Sequence, residues 1–247
     1  MDAPLILQRY AHVLQRLEQA CAAVGRSRSE VRLIAVSKFH EAADIVACVN
    51  AGQLDFGENY VQEALRKREE IHAQVGSHAP CAQLRWHMIG HVQSRKAAQV
   101  AGAFSLVHTL DSRRLADALE RHTADLHGQQ PVLFEVNIAE EEQKNGVFPG
   151  ALPELADYVL EHCPHLDVRG LMCLPPVFDA GQAARPHFAK LRQLRDDLRR
   201  RCGLPLPELS MGMSGDFEEA VAEGATMVRI GTEIFGPRSP KGAKPEA

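Results

Sequence analysis

Val31-Arg32-Leu33-Ile34-Ala35-Val36-Ser37-Lys38 is the first strongly apolar run of the chain, and it ends on a lysine. The run is short and rich in aliphatic residues, as a buried strand is. A long ammonium side chain is a poor packing choice at the end of such a strand. It is a common choice where a fold presents a nucleophilic amine to a pocket. A lysine kept dry has its pKa lowered, so the neutral amine can attack a carbonyl and form a Schiff base. The competing reading is a lysine that snorkels to the surface.

Outward from this run the pattern repeats. Further apolar runs occupy Leu54–Gly57, Leu84–Gly90, Ser105–Leu110, Val132–Ile138, Val168–Leu174, Glu208–Met211 and Thr226–Ile230. Helical periodicity lies between them: Leu115, Leu119, His122 and Leu126 share one stripe, and Phe188, Leu191, Leu194, Leu198 and Cys202 another. Before the first strand, Tyr10, Val13, Leu14, Leu17 and Cys21 share the face of an extra helix that stops near Gly25. Strand and helix in alternation imply a parallel sheet. Eight such units in about 250 residues fit a closed (β/α)8 barrel (TIM barrel) better than an open doubly wound sheet. No linker divides the chain, so residues 1–238 are expected to form one barrel domain with an extra amino-terminal helix. The end is rich in Pro, Lys, Gly and Ala, and residues 239–247 are expected to be a flexible tail.

Composition narrows the function classes. The 247 residues are 45% hydrophobic and 24% charged, ordinary for a globular protein with a sizeable core. With 28 basic and 32 acidic residues the net charge is -4, which provides no electrostatic reason to expect nucleic acid or an anionic membrane as partner. There is no signal-peptide pattern and no apolar run near the roughly 20 residues a bilayer requires. Cys21, Cys48, Cys81, Cys163, Cys173 and Cys202 are scattered, with no CxxC pair. Reduced cysteines and a cytoplasmic location are expected.

In a barrel the carboxyl ends of the strands and the loops after them surround one mouth. That geometry collects Lys38, Gly57-Glu58-Asn59-Tyr60, His87, Gly90 to Ser94, Asp111-Ser112, Asn137, Met172 to Pro175, Ser210 to Gly215, Arg229 and Gly231-Thr232. The loops after strands 7 and 8 are where barrels most often hold a phosphate. Ser210, Gly212, Ser214 and Gly215 lead into a helix, and Gly231-Thr232 form a second donor-rich turn. Either these amides hold an anion, or Ser214 caps the helix and the glycines only make turns. Asp216, Glu218 and Glu219 would repel a phosphate, so amide donors would have to hold it. A phosphate site across the mouth from a strand-end lysine is the layout a pyridoxal phosphate site requires. Arg229, if it points inward, could face the pyridine nitrogen; otherwise it forms a salt bridge at the rim.

Other motifs read as structural. His87 and His91 have H-x-x-x-H spacing but straddle the end of a strand, where residues four apart do not share a helical face. A structural or pocket-lining role is favoured over metal. Arg192, Arg195, Arg199, Arg200 and Arg201 are interrupted by Asp196 and Asp197, which suits a solvated outer helix face.

The segments Val36-Ser37-Lys38, Phe56 to Glu63, Trp86 to Gly90, Arg169 to Met172, Leu209 to Ser214, Met227 to Thr232 and Ile234-Phe235-Gly236 occur in this order. The set closely resembles the pyridoxal phosphate homeostasis proteins, which have the fold of the alanine racemase amino-terminal domain. The resemblance runs from about residue 30 to 238. It implies that Lys38 forms the internal aldimine with pyridoxal 5'-phosphate (PLP), that Ser210, Ser214, Gly231 and Thr232 surround the phosphate, that Arg229 faces the pyridine nitrogen, and that Asn59 lies beside the cofactor. The chain departs from the family pattern at His91 and Arg95 in Gly90-His91-Val92-Gln93-Ser94-Arg95-Lys96, and at Phe39-His40.

An arginine at the pyridine nitrogen keeps it unprotonated and weakens the electron sink. Racemisation needs acid–base groups on both faces of the cofactor. In the related racemases one of them is a tyrosine from a second domain, for which this chain has no room. Only Tyr10, Tyr60 and Tyr158 are available here, and only Tyr60 is near the expected mouth. The expected function is therefore holding, buffering or delivering PLP in intracellular homeostasis, with PLP-dependent apo-enzymes as candidate recipients and a monomer as the expected state. The alternative is a PLP-dependent amino-acid racemase-like enzyme.

Overall fold

The structure is a computed structural model that describes residues 3–75, 83–176 and 178–237. Among these residues eight strands form one closed parallel barrel in chain order. They are β1 (Arg32–Val36), β2 (Asp55–Glu58), β3 (Arg85–Met88), β4 (Leu106–Leu110), β5 (Gln130–Val136), β6 (Leu166–Cys173), β7 (Glu208–Ser210) and β8 (Met227–Ile230). β8 closes on β1 with Ile34 opposite Arg229 and Ala35 opposite Ile230. The helices are α1 (Ala3–Ala23), α2 (Ala42–Asn50), α3 (Val61–Val75), α4 (Ala97–Val100), α5 (Arg113–Asp125), α6 (Leu152–His162), α7 (Arg185–Cys202), α8 (Phe217–Ala222) and α9 (Thr232–Phe235). The barrel and the extra first helix expected from the apolar runs are both present. The tail expected at 239–247 lies outside the described residues, as does Cys81.

Strand side chains alternate between two faces, so one barrel has two cores. Outward residues such as Leu33, Ala35, Phe56, Trp86, Val107, Phe134, Leu171 and Val228 join the helices in a large apolar layer. Inward residues form a much smaller cluster of Ile34, Leu106, Leu133, Met172 and Met227. At about 1.5–3 kcal/mol for each large apolar side chain buried, the outer layer dominates stability. The lumen is left to carry polar groups.

Three expectations need local correction. Leu126 does not share the buried stripe of α5; it follows the helix as its C-cap and is 58% exposed, while Leu115, Ala116, Leu119 and Thr123 face the core. The connection from β3 to β4 is a 3-10 turn at Ser94–Lys96 and the four-residue α4, not a full amphipathic helix. The fifth strand begins at Gln130, before its apolar run, because the Gln130 amide donates to the carbonyls of Phe104 and Pro131 and so replaces the hydrogen bonds burial removes.

α1 ties down the last two βα units. Ile6, Tyr10, Val13, Leu17 and Cys21 are buried against the body, and the helix packs on α2, α8 and α9. Within this packing Arg16 bridges Glu218 of α8 (2.6 Å) and Glu233 of α9 (2.7 Å) while its guanidinium lies over the Phe217 ring. One arginine thereby offsets part of the negative charge of two carboxylates near the turns after β7 and β8.

Candidate functional site

All the candidate residues lie at the carboxyl ends of strands. Lys38 is half-buried on the turn after β1, and Asn59 directly follows β2. Ser210 ends β7, Ser214 is on the turn after it, Arg229 is the third residue of β8, and Gly231-Thr232 begin the segment after β8. Gly231 abuts the end of β1: a Cβ built there would lie 3.0 Å from the Val36 carbonyl oxygen. The turn after β8 is thus packed against the strand that carries Lys38.

The Lys38 turn is held from behind the barrel wall. Ser37 donates its backbone N–H to Gly57 O (3.1 Å) and its hydroxyl to Glu58 Oε1 (2.7 Å). The ammonium of Lys67, fully buried in α3, donates to Ser37 O (2.6 Å) and Glu58 Oε1 (2.7 Å), and contacts Glu63 Oε1 at 2.6 Å. Glu63 in turn accepts the Phe39 N–H at 2.5 Å. Phe39 has φ of 66°, a left-handed conformation that costs a non-glycine residue about 1 kcal/mol. The buried ions fix both residues flanking Lys38, which is how such a conformation is maintained. Burial pushes the Glu58 carboxyl up despite the pull of Lys67.

A second network runs through the lumen. Arg85 grips Asp55 with two hydrogen bonds of 2.8 and 2.6 Å. Asp55 Oδ1 lies 3.0 Å from His87 Nε2, His87 Nδ1 lies 3.0 Å from His108 Nε2, and His108 Nδ1 lies 2.9 Å from Ser210 Oγ. Ser210 accepts from Arg229 Nη1 at 2.5 Å, and Arg229 Nη2 donates to Cys173 O at 2.9 Å. Burial would raise the Asp55 carboxyl, but Arg85 and His87 outweigh it and hold it at about 2. Burial lowers both imidazoles, His108 furthest, because it also faces His87 and Arg229.

Arg229 points inward. It is 4% exposed, and among the described residues no carboxylate lies within ion-pair distance of it, although the charges of Asp216 and Glu135 act on it from further off. A guanidinium has five donors, so the two bonds given above leave others to turn toward the mouth. Burial pushes Glu135, the nearby inward residue of β5, up to about 7, with the Asp111 charge adding to the effect. Two oxygens here are buried with no hydrogen-bond partner among the described residues, Asn59 Oδ1 and Glu135 Oε2. The Asn59 oxygen, which can only accept, suits a ligand that brings hydrogens.

The segment after β7 turns sharply. Gly212 has φ of 92°, and a Cβ there would meet the Ala220 Cβ at 2.6 Å. Ser214 does not cap α8; Asp216 precedes that helix and its Oδ1 accepts the Met213 N–H (2.6 Å). Beside this segment a cavity of about 440 Å³ opens, lined by Glu135, Asn137, Lys144, Pro175, Met213 and Asp216 among others. This size is in the range of small-molecule sites.

Several residues stand apart from the site. His91 is on the surface, 3.4 Å from Asp111, while His87 is buried in the lumen; the two do not converge, and among the described residues no group of metal ligands does. Arg192 pairs with Glu223, Arg195, Arg199 and Arg200 with Asp196 or Asp197, and Arg201 with Asp157, as a solvated helix face requires. No helix is long and apolar enough to cross a membrane among the described residues. Residue patterning did not single out Asp55, His108 or Lys67. Each nevertheless breaks an apolar face at an inward or core-facing position, and that was the available signal.

The family model described as alanine racemase, N-terminal domain, matches residues 7–239. The pyridoxal phosphate homeostasis protein of Aquifex aeolicus is 42% identical over 231 residues, covering 94% of this chain and 97% of that protein. Among solved structures, PipY of Synechococcus elongatus with PLP bound superposes with a TM-score of 0.76 at 35% identity, covering 89% of this chain and all of that one. The alanine racemase of Corynebacterium glutamicum shares the fold at 18% identity and a TM-score of 0.68, over 96% of this chain and 63% of the racemase.

Proposed function

The chain belongs to the family of the alanine racemase N-terminal domain, among the pyridoxal phosphate homeostasis proteins, and we propose that it binds PLP at the barrel mouth. Its role is intracellular PLP homeostasis: it holds the cofactor on Lys38, without robust catalysis, and gives it up to PLP-dependent apo-enzymes. It works as a monomer in the cytoplasm.

The observation that carries this reading is Arg229, a buried cation with no carboxylate partner among the described residues, steadied by Ser210 and the Cys173 carbonyl. A ring nitrogen with a lone pair suits such a donor. The orphaned Asn59 oxygen suits the cofactor's hydroxyl, so the residues present fit the group. When bound, PLP supplies an aldehyde that condenses with a primary amine and a ring that withdraws electrons. Lys38 supplies the amine from a turn whose two flanking residues are fixed. Ser214, Gly231 and Thr232 take the phosphate with a hydroxyl and backbone amides; Ser210 belongs to the site through Arg229. The Arg16 charge shared by Glu218 and Glu233 reduces repulsion at the phosphate turns. Arg229 cannot give up its proton, so the ring nitrogen stays unprotonated and the electron sink stays weak.

Tyr60 favours a second, racemase-like reading, since it stands at the mouth with its ring 5.5 Å from that of Phe39. It is 45% exposed, however, where an acid–base group would exchange protons with bulk water. Purified protein is expected to absorb as an imine, and borohydride to fix the cofactor to Lys38. Folded Lys38→Ala protein that gave the same reducible adduct would overturn the assignment. Rapid deuterium exchange at the α-carbon of amino acids would favour the racemase reading.

A further inference from the structure

Ser210 is wholly buried, and its single hydroxyl proton has two places to go. On one side is Arg229 Nη1 at 2.5 Å, which has only hydrogens to offer, so Ser210 Oγ accepts there. On the other side is His108 Nδ1 at 2.9 Å, which can donate or accept according to its tautomer. If that nitrogen donates, the serine proton is free for a ligand at the mouth. If it accepts, the proton is spent inside the barrel.

The far end of the chain decides the matter. Asp55, gripped by Arg85, is an ionised carboxylate and takes only hydrogens, so His87 presents Nε2–H across their 3.0 Å contact. The two rings are enclosed between cations, Arg32 of β1 and Arg85 of β3 on one side and Arg229 of β8 on the other. Asp55 of β2 is the carboxylate in hydrogen-bond contact with the pair. In that setting each ring is neutral and carries one proton. His87 Nδ1 is then a bare lone pair, and His108 must donate from Nε2 across 3.0 Å. That leaves His108 Nδ1 bare in turn, and Ser210 donates to it. Every hydrogen bond from Arg229 to Asp55 then runs one way, with no donor or acceptor in the chain left over.

We propose that Ser210 is a positioning residue for Arg229: His108 draws its proton inward, its lone pair holds the guanidinium, and it gives no hydroxyl hydrogen bond to the phosphate. The proposal rests on the reading that the mouth binds PLP. It assigns the lumen histidines a role in recognising the ring, and it separates Ser210 from Ser214, which serves the phosphate.

Two measurements test it. Nitrogen NMR of the imidazoles in cofactor-free protein near neutral pH should find His87 and His108 both neutral and protonated on Nε2; a His108 protonated on Nδ1 would overturn the proposal. This readout needs no cofactor, so it stands even if the wild type binds no PLP and the functional reading itself fails. The second measurement compares the affinities of PLP and pyridoxal, which lacks the phosphate. Ser210→Ala should weaken both by the same factor, about tenfold for one buried hydrogen bond to a charged group. Ser214→Ala should weaken PLP and spare pyridoxal. A Ser210→Ala protein that lost affinity for PLP alone would make Ser210 a phosphate donor and end the proposal. His108→Gln offers an oxygen to Ser210 and an N–H to His87, and should keep wild-type affinity where His108→Leu loses it. Equal losses in the two would reduce His108 to a packing residue.

Discussion

Two polar networks lie on opposite sides of the barrel wall, and they hold their protons in opposite ways. Outside the wall, Lys67, Glu58 and Glu63 bring charged groups together behind the Lys38 turn. Inside it, Asp55 with its arginine partners, Arg85 at 2.6 Å and Arg32 at 3.9 Å, sits at one end, and two neutral rings and a hydroxyl pass its direction on to Arg229. The outer cluster resists separation, because any ion left alone in the core is costly. That suits the task of fixing a turn whose Phe39 is in a left-handed conformation. Between Asp55 and Arg229 the inner chain places no further charge, and its order depends on each proton being on one particular atom. That suits the task of aiming a cation. The two networks should therefore respond differently to mutation and to pH.

The largest expected effect is on the outer network. Lys67→Met leaves Glu58 and Glu63 without their shared partner and should cost about 3–5 kcal/mol in urea unfolding. Adding Glu58→Met should recover a good part of the loss, since apolar groups can replace a buried pair at little cost. A single substitution costing under about 1 kcal/mol would mean that the cluster is not what holds the turn.

Next comes Glu135, at the rim of the inner network. Its carboxyl is raised from 4.5 to about 7 in the folded protein, so its contribution is fully present below pH 4.5 and is lost as pH rises through 7. Glu135→Gln should remove this dependence. The variant's stability relative to wild type should then rise by on the order of 2–3 kcal/mol between pH 5 and pH 8. An offset that did not change with pH would contradict the buried neutral carboxyl.

The smallest effect is expected from the rings. Burial lowers the pKa of His87 and His108, so the stability tied to their neutral forms is present above about 6.5 and is lost as pH falls below it. The slope is at most about 1.4 kcal/mol per pH unit for each ring. His108→Gln should make the wild-type loss between pH 6.5 and pH 5 shallower, measured as unfolding free energy against wild type at each pH. Glu135 acts with the opposite sign in this window, and the difference from wild type cancels it. No change in the slope would mean that His108 is already charged when folded.

Much of the fold was legible because each strand is a short apolar run and each long helix carries a regular stripe. Boundaries moved by one or two residues where a polar side chain, such as Gln130, makes its own hydrogen bonds and lets a strand extend past its apolar part. α4 was not legible, since four residues carry no period. Lys67 follows Val61 and Ala64 on the stripe that continues to Ile71, so its burial was encoded, yet a lysine in a charged helix reads as solvated. His87 reads from sequence as structural or pocket-lining, while its partner His108 is one residue within an apolar run.

By itself the sequence determined the alternation of strands and helices, the place of Lys38 after the first strand, and the small donor-rich turns after the last two. These are local matters, set by side-chain period and by the residues that end a strand. Tertiary structure alone decided where Arg229 points and which way the Ser210 proton faces. His108 and Ser210 are 102 residues apart and meet at 2.9 Å because the barrel closes. The direction of their hydrogen bond is set further off still, by a carboxylate on β2. No local pattern carries that information, because a proton's position depends on every partner in the chain at once.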